Sequence, residues 1–154
     1  MSLSAFLSPH AVLPRLRAPT LRALFTALAE HAAPLVATDA LTIANALAAR
    51  EAAGTTGFGG GVALPHARLP GLAWPTGLFA RLQTPLDYGA LDAAPVDLVF
   101  MLLSPAAGSA AHLKALARAS RLLRDPALRA RLRGAADASA LHALLAGPPL
   151  AAAA

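Results

Sequence analysis

The run Thr55-Thr56-Gly57-Phe58-Gly59-Gly60-Gly61-Val62-Ala63-Leu64-Pro65-His66 is a glycine-dense loop entering a short apolar segment that stops at a proline and delivers one histidine. Glycine lets backbone N–H groups approach an anion with no Cβ in the way, and concavities lined by such groups bind phosphate. Imidazole titrates near neutrality, so a presented histidine is largely neutral and nucleophilic at physiological pH. Loop and ring together point to a phosphohistidine at His66, with loop N–H groups on the phosphoryl oxygens. The bland alternative is a flexible glycine hairpin carrying a surface histidine. Gly57-x-Gly59-x-Gly61 is too short for a dinucleotide fingerprint, and a helix-then-strand order is the reverse of what that motif needs. No Gly-Lys-Ser/Thr is present, which excludes a nucleotide-binding P-loop.

Two distant residues can join this chemistry. Arg50 falls in the last turn of a helical pattern just ahead of the glycine loop, where a guanidinium can reach a bound phosphate. It can equally pair with the helix C-terminus or with Glu51. His112 falls in the first turn of a helical pattern beginning at Ser109. Free N–H groups and the positive dipole end disfavour an imidazolium there, leaving a neutral ring with one N–H to donate. Its alternative is a half-buried core histidine. The five histidines (His10, His31, His66, His112, His142) form no close-spaced metal pair and no His-Glu-x-x-His occurs, so no metal is expected. A Gly-x-Ser-x-Gly elbow is also missing. Asp87, Asp92 and Asp97, set around Pro85 and Pro95, read as turn and strand-start residues rather than a carboxylate cluster.

The elements that must position these residues alternate in type. A helix is expected over 20–33, capped by Thr20, with Leu21, Leu24, Phe25 and Leu28 on one face and Pro34 as its stop. A second is expected from Thr38 or Asp39 to Ala53, with Leu41, Ala44, Leu47 and Ala48 inward and Gly54 ending it. Strands are expected at Val62–Leu64 and Thr76–Leu82, with an edge strand near Ala11–Leu16, where Pro14 argues against a central place. Val96–Leu103 has the near-continuous apolar character of a central strand covered on both faces. Helices follow at 109–124, 126–133 and 138–146, the last capped by Asp137, before a loose tail over 147–154. The pattern is α/β, a single domain with a small mixed sheet flanked by helices on both faces.

Composition excludes other classes. The chain has 154 residues, no cysteine and 56% hydrophobic residues, an excess that is mostly alanine. Its longest strongly apolar run, Leu98–Leu103, is far shorter than a membrane span. Pro9 and His10 interrupt the N-terminal apolar stretch, so no secretory signal is read and a cytoplasmic location is expected. Net charge is +5, and seven of the 13 basic residues lie between Lys114 and Arg133. Lys114, Arg118 and Arg121 recur at helical spacing opposite Leu113, Leu116, Ser120 and Leu123, which makes them a solvated helix face. No aromatics interleave with them to stack bases, so no nucleic acid is expected.

Arg50-Glu51, the Thr55–His66 run, Pro85-Leu86-Asp87-Tyr88, Pro95-Val96-Asp97-Leu98-Val99-Phe100 and His112-Leu113-Lys114 closely resemble the IIA domains (EIIA type 2) of the fructose/mannitol class of the bacterial phosphotransferase system. The likeness is strongest to the nitrogen-regulatory branch and covers roughly residues 3–146. It implies that His66 is the phosphorylated histidine, with Arg50 and His112 lining the pocket. Thr55 stands where the family usually has serine and can add a hydroxyl. Ala67 stands where the family usually has glycine; were a positive φ required there, alanine would strain the loop.

The implied chemistry is a phosphoryl relay. A phosphocarrier of the HPr type presents its phosphohistidine, and His66 attacks in line, through Nε2 by family analogy. Phe58 is the candidate anchor for docking that carrier, or else a core residue. Such a protein is a carrier rather than an independent turnover enzyme, and it needs no cofactor. Read as a free-standing domain without fused IIB or membrane segments, the chain is expected to be of the regulatory kind. It would act on protein targets (in relatives, potassium-transport and nitrogen-control proteins) through its phosphorylation state. The alternative is a sugar-transport IIA that passes phosphate to the IIB protein of a permease. A degenerate binding module is disfavoured by the intact Arg50, His66 and His112.

Overall fold

The apolar run expected at the centre of the sheet is there. In a computed structural model, which describes residues 3–107 and 109–147, Val96–Pro105 is buried except at Asp97 and Pro105. Chain order gives a 3₁₀ turn at Pro9–Ala11, then β1 (Val12–Leu16), α1 (Leu21–Val36), α2 (Ala40–Ala52), β2 (Gly57–Gly59), β3 (Val62–Ala63), β4 (His66–Leu69), β5 (Thr76–Leu86), β6 (Val96–Pro105), α3 (Ser109–Leu123), α4 (Pro126–Gly134) and α5 (Ala138–Ala146). The sheet order is β1-β5-β6-β3-β2, with β4 also on β6. It is mixed: β1 runs parallel to β5, β5 antiparallel to β6, β3 and β4 parallel to β6, and β2 antiparallel to β3. Helices flank it, α1 against β5, α2 against β4, α3 against β6 and α5 against β1. The buried residues form a cluster from Leu3 to Leu145.

One edge of β6 positions the site. β3 pairs its Val62 and Ala63 with Leu98 and Val99, and β4 pairs His66 with Leu102. Between them Pro65 has no N–H for the ladder, but its carbonyl accepts from Leu102 N–H at 3.0 Å. Pro65 also biases Leu64 toward the extended region, so chain direction is kept across the break.

Capping follows the sequence. Thr20 accepts from Ala23 N–H, Asp39 from Thr42 N–H and Asp137 from Ala140 N–H. The structure corrects four expectations. Pro34 does not stop α1, which runs on to a buried Val36; a proline this near a helix end removes one hydrogen bond, and burial of Val36 outweighs it. Leu41 is 70% exposed, and Ile43 with Leu47 forms the buried stripe of α2. Leu113 is 59% exposed, and α3 turns His112, Ala115, Ala119 and Leu123 inward. Both helices are alanine-rich, so several phases look equally apolar, and packing against the sheet selects one. Finally, β2 and β4 are strands the pattern left out, being too short or too polar to alternate visibly. The tail beyond Gly147 lies outside the described residues.

Candidate functional site

His66 opens β4, with Ala67 and Leu69 buried beneath the strand and His66 and Arg68 on its other face. Its Nδ1 lies 2.8 Å from the Leu64 carbonyl oxygen. A carbonyl can only accept, so Nδ1 carries the proton and Nε2 keeps the lone pair. His112, on the inward face of α3, is 4% exposed, with its Nδ1 2.7 Å from the hydroxyl of the fully buried Ser104. The two rings meet with centroids 5.6 Å apart and planes tilted by 46°. Arg50 comes from α2, which packs on β4, and donates to the Gly54 carbonyl at 2.9 Å. Together with Ala46, Ala49, Ala67 and Arg68, these three residues line a cleft of about 500 Å³.

Burial holds both imidazoles below the ordinary histidine range. For His66 the positive charges of Arg50 and Arg68 act in the same direction, against the opposing Leu64 carbonyl and Glu51. For His112 the neighbouring His66 and Arg68 add to burial. The cleft therefore presents two neutral rings amid fixed positive charge, a setting suited to a dianion. Behind it, Glu51 accepts from Thr56 N–H at 2.8 Å and from the Thr56 hydroxyl at 2.6 Å, while Tyr88 Oη lies 2.8 Å from the Thr56 hydroxyl and 3.0 Å from Glu51. This network ties the loop after α2 to the segment before β6. Desolvation pushes the Tyr88 phenol well above its usual range, so it stays a neutral donor.

Not every candidate converges here. The glycine loop turns at the start of β6, where Asp97 and Leu98 N–H groups donate to Gly61 O; Leu98 lies four positions along β6 from His66's partner Leu102, about 13 Å. Two of its donors are taken: Gly60 N–H by the Asp92 carboxylate at 3.1 Å and Gly57 N–H by the Thr55 hydroxyl at 3.1 Å. The tip of the loop at Gly60 and Gly61 is thus remote from His66, while its start lies nearer, where Thr56 O accepts from Leu64 N–H. Thr55 is not among the residues lining the cleft. Phe58 is half-buried under the Arg124 guanidinium, 5.3 Å from its ring centroid, and Arg124, just past the end of α3, lies about 18 Å along the helix direction from His112. Asp92 and Asp97 do the turn and strand-start work expected of them: Asp92 accepts from Ala94 N–H, and Asp97 pairs with Arg133 at 2.8 Å. Ala67 pairs with Leu103 and is not among the positive-φ residues, so alanine is unstrained there.

Residues 5–147 match the family model for the phosphoenolpyruvate-dependent sugar phosphotransferase system, EIIA 2. The chain belongs to this family. It is 44% identical over 153 residues to a nitrogen regulatory protein of Bradyrhizobium diazoefficiens, covering 99% of this chain and 100% of that one. It is 39% identical over 102 residues to a fructose-specific EIIA component of Haloferax volcanii, 66% of each chain. Its fold matches the nitrogen regulatory protein IIA-Ntr of Neisseria meningitidis with a TM-score of 0.88 at 28% identity, covering 93% of this chain and 98% of that one. Among EIIA 2 members, then, this chain is alike over its whole length to a nitrogen regulatory protein.

Sequence reasoning missed one residue that lines the cleft, Arg68, and one buried residue that bonds a lining histidine, Ser104. Arg68 shares the outer face of β4 with His66, which a strand assignment there would have exposed. Ser104 carries no signal of its own, being one hydroxyl at the end of an apolar run.

Proposed function

We propose that the chain is a phosphohistidine-carrying regulatory IIA protein of the nitrogen-related phosphotransferase system, taking its phosphoryl group on His66 from an HPr-type carrier. The observation that carries this reading is the pairing of His66, with its Nε2 lone pair free, against His112 in an Arg50-lined cleft. In the transfer the donor's N–P bond breaks as the Nε2–P bond to His66 forms. The His66 Nδ1 proton stays on its bond to the Leu64 carbonyl. Exchange of one phosphohistidine for another is close to balanced, so the site must supply chiefly positioning and charge stabilisation. The Arg50 guanidinium and a His112 N–H would bind the equatorial oxygens. The reading makes the protein a cytoplasmic carrier that alters its targets' behaviour by its charge state. Among the described residues no helix is long and apolar enough to cross a membrane. The identity to a fructose-specific EIIA component keeps a second reading, transfer to the IIB protein of a sugar permease.

Incubation with phosphoenolpyruvate, a matching enzyme I and an HPr-type carrier should label the protein at one site. The label should be acid-labile and base-stable, as a phosphoramidate is, and His66→Ala should abolish it. Labelling that persists in His66→Ala overturns the assignment.

A further inference from the structure

We infer that Ser104 is a positioning residue of the cleft: its hydroxyl donates to His112 Nδ1 and thereby fixes the tautomer in which His112 Nε2–H faces a phosphoryl group on His66. This rests on the assignment of His66 as the phosphorylated residue.

Ser104 and His112 come from β6 and α3, and both are buried, at 0% and 4% exposure. A serine hydroxyl has one proton to give, and a neutral imidazole has one donor and one acceptor. Among the described residues, the hydrogen-bond partner of the Ser104 hydroxyl is His112 Nδ1, at 2.7 Å. Two arrangements fit that distance. If Nδ1–H donated to Oγ, the hydroxyl proton would be left in a fully buried place with no acceptor among the described residues, the costly outcome for a polar group. If the hydroxyl donates to the Nδ1 lone pair, both groups are satisfied and the ring's single proton goes to Nε2. The ring that results lines the cleft beside His66.

The two histidines then carry opposite tautomers, each set by a neighbour on Nδ1. The Leu64 carbonyl requires a proton on His66 Nδ1 and leaves its Nε2 as a nucleophile. The Ser104 hydroxyl takes the lone pair of His112 Nδ1 and leaves its Nε2 as a donor. Were the second tautomer reversed, the His112 lone pair would face the phosphoryl oxygens and repel them. A third consequence concerns charge. Protonating His112 at Nδ1 would force the serine to turn its own proton into apolar surroundings, so the hydroxyl also opposes the imidazolium.

The test separates the hydroxyl from its volume, using Ser104→Ala, Ser104→Thr and Ser104→Val in the full chain. Long-range ¹H–¹⁵N NMR of the unphosphorylated protein should show His112 protonated at Nε2 in wild type and Ser104→Thr. In Ser104→Ala and Ser104→Val a mixture of tautomers should appear. The rate of phosphoryl acceptance at low carrier concentration should fall about tenfold in the Ala and Val variants, the loss of one oriented hydrogen bond, and stay within about twofold in Thr. Unchanged His112 ¹⁵N signals in both Ala and Val variants overturn the role of the serine, and so does a normal transfer rate in both. A wild-type chain that takes no label at His66 overturns the reading beneath it, which the NMR arm, needing no phosphoryl donor, does not depend on.

Discussion

Burial drives both cleft histidines toward the neutral form, and the sign of that shift fixes how the protein answers acid. A histidine held below the usual value near 6.5 in the folded chain binds a proton less readily there than when unfolded. Above pH 6.5 both states are neutral at these positions and the full stability is present. As pH falls from about 6.5 toward the lowered folded values, the unfolded chain gains protons first and stability drains away. Thermal melts should therefore show a midpoint that is flat above about pH 6.5 and declines below it. The decline should be shallower in His66→Gln, and an equal slope in the two proteins would remove His66 from the explanation. Under the proposed function the same neutrality would keep the His66 lone pair available for attack at physiological pH, with no base needed to remove a proton. On the same reading Arg50 and Arg68 would serve both purposes, since positive charge opposes the imidazolium and would attract an incoming dianion.

The glycine-rich hairpin between β2 and β3 packs its tip against Asp97 and Arg133 at the start of β6. Gly61 sits at φ +80°, and a Cβ there would overlap the Arg133 guanidinium and come within 2.8 Å of an Asp97 carboxylate oxygen. Gly61→Ala should cost about 2 kcal/mol from the left-handed backbone and the displaced ion pair, lowering the melting midpoint by roughly 4–8 °C. Phosphoryl labelling of His66 should stay near wild type, because the loop lies about four strand residues from the histidine. Loss of labelling in a folded Gly61→Ala would restore the loop as a phosphate cradle. The loop's misleading look explains what could be read from residues alone. β6, α4, α5 and the Thr20 and Asp137 caps were legible because long apolar runs and side-chain caps act locally. The short strands β2 and β4 were not, since they exist through pairing with β3 and β6 rather than through their own pattern. Arg50, His66 and His112 could be named from the family likeness, whereas Ser104 becomes visible only when α3 folds over β6.

For the molecule as a whole, the consequence of phosphorylation is electrostatic. Adding a phosphoryl group to His66 would take the net charge from +5 to about +3 at a cleft lined by Arg50 and Arg68. Not all of the basic residues downstream are free to answer it. Arg129 donates to the carbonyls of Leu123 and Arg124, and Arg133 to Asp97 and Gly60, so both are spent on holding α4 in place. Lys114 and Arg121 remain exposed on α3, the helix that carries His112 into the cleft. A protein target reading this face together with the cleft would meet a different field in the two states. His66→Asp should therefore change affinity for such a target several-fold, and raised salt should shrink the difference as exposed charges are screened. Under the proposed regulatory reading the protein would have no need to hand phosphate to a permease. Purified IIB of a fructose- or mannitol-type permease should accept phosphate from the labelled protein slowly or not at all. Transfer at a rate comparable with that IIB's own IIA would sink the regulatory reading and promote the transport one, while leaving His66 as the phosphorylated residue.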